Sequence, residues 1–508
     1  MTTDGRGDDH EDRPAHKSGK QEGRRAVGIT QRARGVLRRR DPELTLPPGT
    51  RSAVIGPQLP DESTVHFVLD LGLRIGEIQM ASGAGASDVT ATIIGVVNAY
   101  GLPHCEVDVI YTSITVSCFR GTDLPPITSL RVVRNRSSDY TRLDAVEKLL
   151  RRITAGEVSA SDAYAELDRI TSAPHPFPRW VATLAWAGMA ASLAVLLSGG
   201  QDLMLSVVAA LATALVDRVG RWLNKRALPF FFQQMVGGAL ATGVALVFYS
   251  MGWLSSAAPG LAVASCIIVL LSGMTVVGSM QDAITGYNVT AAGRLAELAL
   301  MSAGLIAGVV LALYISTQLG GGALGGLQGQ DVGRGLVSGS TALHIPIQTL
   351  AGASTSACFA LASYAPPRPL VVAGFGGALA GTVNAIMLAV DAHSVLSAAV
   401  ATTVVGFVGG IVSRRLKIPG LVVAVSGVAP LLPGLATYRG LYELSVLGNP
   451  VGATTLMLAV ATGLALGAGV VFGEYLARPV RTRLGRLERR MAGPRLTGPL
   501  WPSRRRME

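Results

Sequence analysis

Ile418-Pro-Gly-Leu-Val-Val-Ala-Val-Ser-Gly-Val-Ala-Pro-Leu-Leu-Pro-Gly434 is apolar enough to enter a bilayer, yet it carries two prolines and a glycine near its end. Proline has no amide donor and its ring clashes with the preceding turn, so Pro430 and Pro433 leave carbonyls unpaired in a medium without water. A lone proline often makes only a kink that neighbouring helices absorb. Pro430-Leu-Leu-Pro433-Gly434 is a stronger interruption. Transporters use such breaks to bring freed carbonyls and half-helix ends to a substrate or ion near the bilayer midplane.

The rest of the chain supports a membrane setting. Of its 508 residues, 49% are hydrophobic and 15% charged, and the mean hydropathy is +0.42, which leaves too little polar surface for an ordinary soluble protein. A net charge of +11 would suggest a nucleic-acid partner in a soluble chain. Here the arginines cluster beside apolar segments and at both ends, so positive-inside bias accounts for them and no nucleic-acid partner is expected. Cys105, Cys118, Cys266 and Cys358 show no CxxC pairing, and neither a metal site nor a disulfide framework is indicated. No apolar core with a cleavage site opens the chain, so no cleaved signal peptide is expected.

Residues 1–61 mix charged residues with Gly and Pro and bury too little to order themselves, so they read as a disordered basic arm. Residues 62–176 read as a small cytoplasmic α+β domain. Phe67, Val68, Leu71, Ile75 and Ile78 recur at helical spacing, as do Val89, Ile93, Val96 and Val97 after the Gly83-Ala-Gly85 break. Alternating stretches at Val107 to Cys118 and Ile127 to Val133 read as two strands joined through Gly121 to Pro126. A helix through Leu143, Val146, Leu149, Leu150 and Ile153 follows, and Ser159-Ala-Ser-Asp162 then caps another.

Spans are expected near 181–199, 203–217, 229–252, 259–281, 293–317, 342–364, 369–390, 395–413, 418–440 and 451–475, the second being short. These group into a first five-helix repeat over 177–318, a Gly-rich external loop over 319–341 and a second five-helix repeat over 342–476. A basic cytoplasmic tail covers 477–508. With both termini in the cytoplasm, the inner loops hold Arg218, Arg221, Lys225, Arg226, Arg294, Arg368, Arg414, Arg415 and Lys417, against Arg334 and Arg439 outside. Pro259-Gly-Leu-Ala-Val-Ala264 matches Pro419-Gly-Leu-Val-Val-Ala424, and Leu270-Leu-Ser-Gly273 matches Leu431-Leu-Pro-Gly434. Elements five spans apart cross in opposite senses, so a repeat here is inverted. The fold class is thus a polytopic α-helical membrane protein, ten spans in a 5+5 inverted repeat behind a small α+β domain.

The chain resembles the threonine/serine exporter family over about residues 62–480. The resemblance rests on Leu71-Gly-Leu-Arg-Ile-Gly-Glu77, Gly83-Ala-Gly-Ala-Ser-Asp-Val89, Ile114-Thr-Val-Ser117, and Arg142-Leu-Asp-Ala-Val-Glu147 leading to Gly156-Glu-Val-Ser159. It rests further on Gly273 with Asp282-Ala-Ile-Thr-Gly286 and on Pro430 to Gly434 with Tyr438. The chain differs from the family pattern at Ser272, where a proline usually precedes the glycine, and at Val277 to Met280, where an Asn is common. A softer break in span four is expected from this. The resemblance implies a secondary exporter of threonine and serine in the bacterial plasma membrane, driven by the proton gradient, with no cofactor. Related two-subunit systems of the superfamily are associated with succinate export, so a small dicarboxylate stands as the alternative cargo.

Helix N-termini at Gly273 and Gly434 would suit a substrate carboxylate, and carbonyls freed by Pro430 and Pro433 its ammonium. At about 1.5 Å per residue, both glycines lie roughly 20 Å into their spans, near the middle of a bilayer about 30 Å thick. Candidate substrate contacts are therefore Ser272, Gly273, Pro430, Pro433, Gly434 and Tyr438, with Gln348 and Asn384 as further polar groups and His344 four residues before Gln348. Such polar residues also serve as interhelical glue. Proton coupling needs an intramembrane carboxylate: Asp282 first, then Glu297, with Glu474 and Asp217 read as partners of nearby arginines. A membrane-anchored hydrolase or a regulatory role of the N-terminal domain is the competing class. His104-Cys105-Glu106 lacks the spacing of a triad, and neither a nucleophile elbow nor a phosphate loop is visible, so no catalytic residue is assigned. The sequence leaves the oligomeric state open, and a homo-oligomer is compatible with it.

Overall fold

The computed structural model describes residues 61–491 apart from 120–124, 135–138, 201, 255–258, 271–272, 319–340 and 446–447. The basic arm, nearly all of the Gly-rich loop and Ser272 lie outside the described residues. For His344 and Tyr438 the description stops at the backbone.

The N-terminal domain is built on α1 (Glu62–Ala81), α2 (Ala86–Ala99), β1 (Cys105–Ile110), β2 (Ser113–Cys118), β3 (Ile127–Val132), α3 (Tyr140–Thr154) and α4 (Ala160–Ser172). Helix α1 is apolar on two sides. Val65, Leu69 and Leu73 pack with α2 and the sheet, while Leu71 and Ile75 pack with Val146, Leu149 and Ile153 of α3 and Leu167 of α4. Gly83, at φ +95°, makes the turn from α1 to α2. Asp139 caps α3 by accepting from the Thr141 and Arg142 amides, and Ser159 caps α4 by accepting from Asp162 N–H.

The stretch from Val107 to Cys118, expected as one strand, is two. The sheet is antiparallel in the order β1-β2-β3, with a two-residue turn at Tyr111-Thr112. The inward positions pass from odd in β1 (Cys105, Val107, Val109) to even in β2 (Ile114, Val116, Cys118) across that turn, and Tyr111 supplies the positive φ (+55°) that Asn or Gly normally advertises.

The body comprises α5 (Arg179–Ser198), α6 (Leu203–Lys225), α7 (Phe230–Ser250), α8 (Pro259–Ile267), α9 (Gly273–Ile284), α10 (Asn288–Gln318), α11 (Thr341–Ala362), α12 (Pro367–Ala389), α13 (Ser394–Leu416), α14 (Gly420–Val428), α15 (Gly434–Ser445) and α16 (Val451–Met491). Among the described residues eight helices are long and apolar enough to cross a membrane, or nine if α8 and α9, bent by 57°, form one span. The second span is not short, because α6 continues to Lys225, and α16 continues as helix into the basic tail.

Helix neighbours correspond between the halves. Helix α7 packs on α10 as α13 does on α16, α5 on α6 as α11 on α12, and α9 on α10 as α15 on α16. Glycines set several of these distances: a Cβ on Gly238 would stand 2.5 Å from the Leu305 carbonyl oxygen, and one on Gly381 2.5 Å from that of Gln348. Backbones therefore touch where the sequence places small residues.

Candidate functional site

The two interrupted segments are built alike. Helix α8, a 3-10 turn (Ile268–Leu270) and α9 have 9, 3 and 12 residues; α14, a 3-10 turn (Ala429–Leu431) and α15 have 9, 3 and 12. Pro259 to Gly420, Ile268 to Ala429 and Gly273 to Gly434 are each separated by 161 residues. The two segments also come together, because the first 3-10 turn packs against α15. Helices α11 and α12, which carry Gln348 and Asn384, flank the second 3-10 turn.

Around the second break Pro433 and Gly434 are buried and Pro430 is half-buried. Part of the carbonyl deficit is made good locally. The Ser426 carbonyl, which Pro430 deprives of its donor, accepts from Ala429 N–H. The Leu432 carbonyl accepts from Gly434 N–H at 2.8 Å, and that of Pro433 from Thr437 N–H at 2.9 Å and the Thr437 hydroxyl at 2.7 Å. Gln348 is buried in α11, and Asn384 Oδ1 accepts from the Ser397 hydroxyl at 2.6 Å, joining α12 to α13.

Asp282 is fully buried. Its Oδ2 lies 2.7 Å from Arg294 Nη1, and its Oδ1 accepts from Ala86 N–H at 2.9 Å. Ala86 opens α2, whose N-cap, Gly85, has no side chain, so a carboxylate from the body satisfies an orphan amide of the N-terminal domain. Arg294 Nη2 donates to the Ala84 carbonyl at 3.3 Å. In the second half Glu443 stands 161 residues after Asp282. It pairs with Arg439 at 2.8 Å and accepts from Thr455, which stands 161 residues after Arg294. Glu297 accepts from the Tyr111 hydroxyl at 3.1 Å. Asp217 pairs with Arg221 at 2.8 Å and accepts from Thr183, as its arginine surroundings foretold.

Three further contacts of the domain are made at left-handed residues. Tyr111 lays its ring where a Cβ on Gly293 would come within 2.8 Å of it, and its N–H donates to Thr290 Oγ1, which donates to the Val109 carbonyl. Tyr364, at φ +58°, offers its carbonyl to the Thr141 hydroxyl, and its ring stacks on His175 with centroids 4.4 Å apart. Lys417, at φ +56°, offers its carbonyl to Arg151 Nη2 at 2.7 Å. Sequence patterning marks none of these pairs, whose members lie far apart along the chain; Arg294 stood out only as a loop charge.

Between the N-terminal domain and the body lies a cavity of about 850 Å³. The domain contributes Gln79, Asp88, Glu147 and Arg151, and the body Arg414 and Lys417. Its walls reach Thr275 and Val277 just after the first break and Val428 just before the second. Glu474 also lines it. Burial raises the Asp88 carboxyl above the ordinary carboxylate range, helped by the charge of Asp282. Burial likewise raises that of Glu147, with Arg151 opposing and Asp144 and Asp88 adding.

Known proteins match both halves. A family model described as "Putative threonine/serine exporter" matches residues 70–316, and a second, described as "Threonine/Serine exporter, ThrE", matches residues 348–476. A Mycobacterium tuberculosis protein named "Probable threonine/serine exporter" is 40% identical over 84% of this chain and 79% of its own length. The chain belongs to the threonine/serine exporter family. A second member, the threonine/serine exporter of Corynebacterium glutamicum, is 36% identical over 88% of this chain and 90% of its own length. No solved structure matches the chain. Family membership and the apolar helices together make this a membrane transport protein of efflux type. Cys105, the one nucleophile of the hydrolase reading, pairs across the sheet with Cys118. Burial pushes its thiol up, away from a reactive thiolate.

Proposed function

We propose that the protein exports threonine and serine from the cytoplasm as a proton-driven secondary transporter. Its ten spans form two inverted five-span halves, with the N-terminal domain and both termini cytoplasmic. The observation that carries this is the meeting of two interrupted helices of equal make-up above a cavity that opens beside the N-terminal domain. The pairwise match of helix neighbours and the 161-residue offset between the two interrupted segments support the repeat. The substrate sits between the breaks, against Ser272, Gly273, Pro430, Pro433, Gly434 and Tyr438, with Gln348 and Asn384 on the flanking helices.

Asp282 carries the coupled proton, with Glu297 as second acid. Protonating Asp282 removes the charge that holds Arg294 and the α2 N-terminus, so proton binding and release of the N-terminal domain become one event. Efflux of radiolabelled threonine, serine and succinate from vesicles, with and without a protonophore, tests the proposal. Threonine and serine efflux that collapses with the gradient is expected. Succinate efflux alone would replace the cargo, and protonophore-insensitive efflux would remove the coupling.

A further inference from the structure

The wall of the cavity on the side of the N-terminal domain carries the acceptors Gln79, Asp88 and Glu147 beside the Arg151 guanidinium. Gln79 is 6% exposed, and its Oε1 is buried with no hydrogen-bond partner. No hydrogen bond or ion pair reaches the Asp88 carboxylate among the described residues. That side chain is accessible yet surrounded by protein, as expected where it faces an internal space. Among the described residues the Glu147 carboxylate has only Arg151 Nε, 3.9 Å from its Oε1, and the guanidinium is committed through Nη2 to the Lys417 carbonyl. Buried acceptors left unpaired are costly, and like carboxylates brought together more so. The buried, unpartnered Gln79 Oε1 beside the Asp88 and Glu147 carboxylates calls for a cationic donor. On the body side Arg414 and Lys417 supply positive charge. The volume lies within the range of about 300–1,000 Å³ usual for small-molecule sites.

We propose that this cavity is an access site for the free α-amino acid, in which Asp88, Glu147 and Gln79 of the N-terminal domain receive its ammonium and Arg414 and Lys417 of the body receive its carboxylate. The inference rests on the exporter reading. It makes the N-terminal domain the first element to select cargo, ahead of the helix breaks. A dicarboxylate offers no donor to the acceptor wall, so the site discriminates by chemistry rather than size.

The test is binding of tritiated threonine to the purified full-length protein in detergent, alongside efflux from proteoliposomes. Paired Asp88→Asn and Glu147→Gln substitutions are expected to weaken threonine binding at least tenfold, about 1.4 kcal/mol. They should raise the KM of efflux more than they lower its maximal rate. N-acetylthreonine should not compete, and threoninamide should. Arg414→Gln with Lys417→Gln should weaken threonine but leave threoninamide unchanged, a split that misfolding cannot produce. Threonine bound and exported by both pairs as by the wild type overturns this inference alone, as does competition by sodium ion equal to that by threoninamide. A wild-type protein that neither binds nor exports threonine overturns the exporter reading itself.

Discussion

Asp282, in the helix α9 that follows the first break, accepts the backbone N–H of Ala86 at the start of α2, 2.9 Å away and 196 residues earlier in the chain. One carboxylate thus neutralises Arg294 and caps a helix of another domain. Asp282→Asn leaves Arg294 buried without its counter-charge, which costs about 3–5 kcal/mol. Efflux should be lost, and hydrogen exchange at the first turn of α2 should accelerate. A double Asp282→Asn, Arg294→Gln variant should regain stability but not efflux. Normal efflux from Asp282→Asn would remove this residue from the mechanism.

Tyr111 is held at positive φ by what it touches on the body. Tyr111→Phe removes the hydroxyl donated to Glu297 and should cost about 0.5–1.5 kcal/mol. Gly293→Val drives a side chain into the ring and should undock the hairpin altogether. Hydrogen exchange across β1 and β2 distinguishes the two, with a small rise for the first and near-complete loss of protection for the second.

The acid wall of the cavity should destabilise the protein at neutral pH. A carboxyl raised in the folded state favours folding where it is protonated, and that benefit is lost as pH rises through its folded value. Glu147→Gln, neutral throughout, should therefore raise the apparent melting temperature at neutral pH and change little below about pH 4, where the unfolded carboxyl is also protonated. Asp88→Asn should behave likewise, burial raising that carboxyl first and the Asp282 charge adding to it. A pH-independent gain would mean that packing, not titration, is responsible.

Pro430→Ala with Pro433→Ala restores two amide donors to the second break. The melting temperature should rise while efflux falls sharply, because a continuous helix no longer presents its half-helix end at Gly434. Undiminished efflux would show the break to be a kink.

Gly238→Leu forces a side chain against the Leu305 carbonyl in the contact of α7 with α10. Overpacking of about 1–3 kcal/mol or more should appear as poor recovery of monodisperse protein in detergent. Gly243→Leu, on the same helix with nothing within 4 Å of its Cβ position, should be tolerated.

Much of this architecture was legible because it is local. Apolar run length marked the body helices, and Gly83 and Gly286, both at positive φ, lie where the sequence breaks. Pro430 and Pro433 marked the second interruption from their chemistry alone. The softer break expected at Ser272 lies outside the described residues, and the helices on either side of the first interruption match those of the second in length. The Tyr111-Thr112 turn escaped, because neither residue is a usual turn former; the switch of inward positions between Val109 and Ile114 was its one local signal, and Tyr111 is held there against Thr290, Gly293 and Glu297.

The sequence by itself determined that helices cross a bilayer, where they break, and that an α+β domain precedes them, since these follow from hydrophobic periodicity, proline geometry and capping. Only the tertiary structure decided that Asp282 faces the N-terminal domain, that Arg294 is its partner, and that Gln79, Asp88 and Glu147 wall a cavity with Arg414 and Lys417. Pairings across some two hundred residues depend on how the elements pack, and neither residue type nor spacing carries that information.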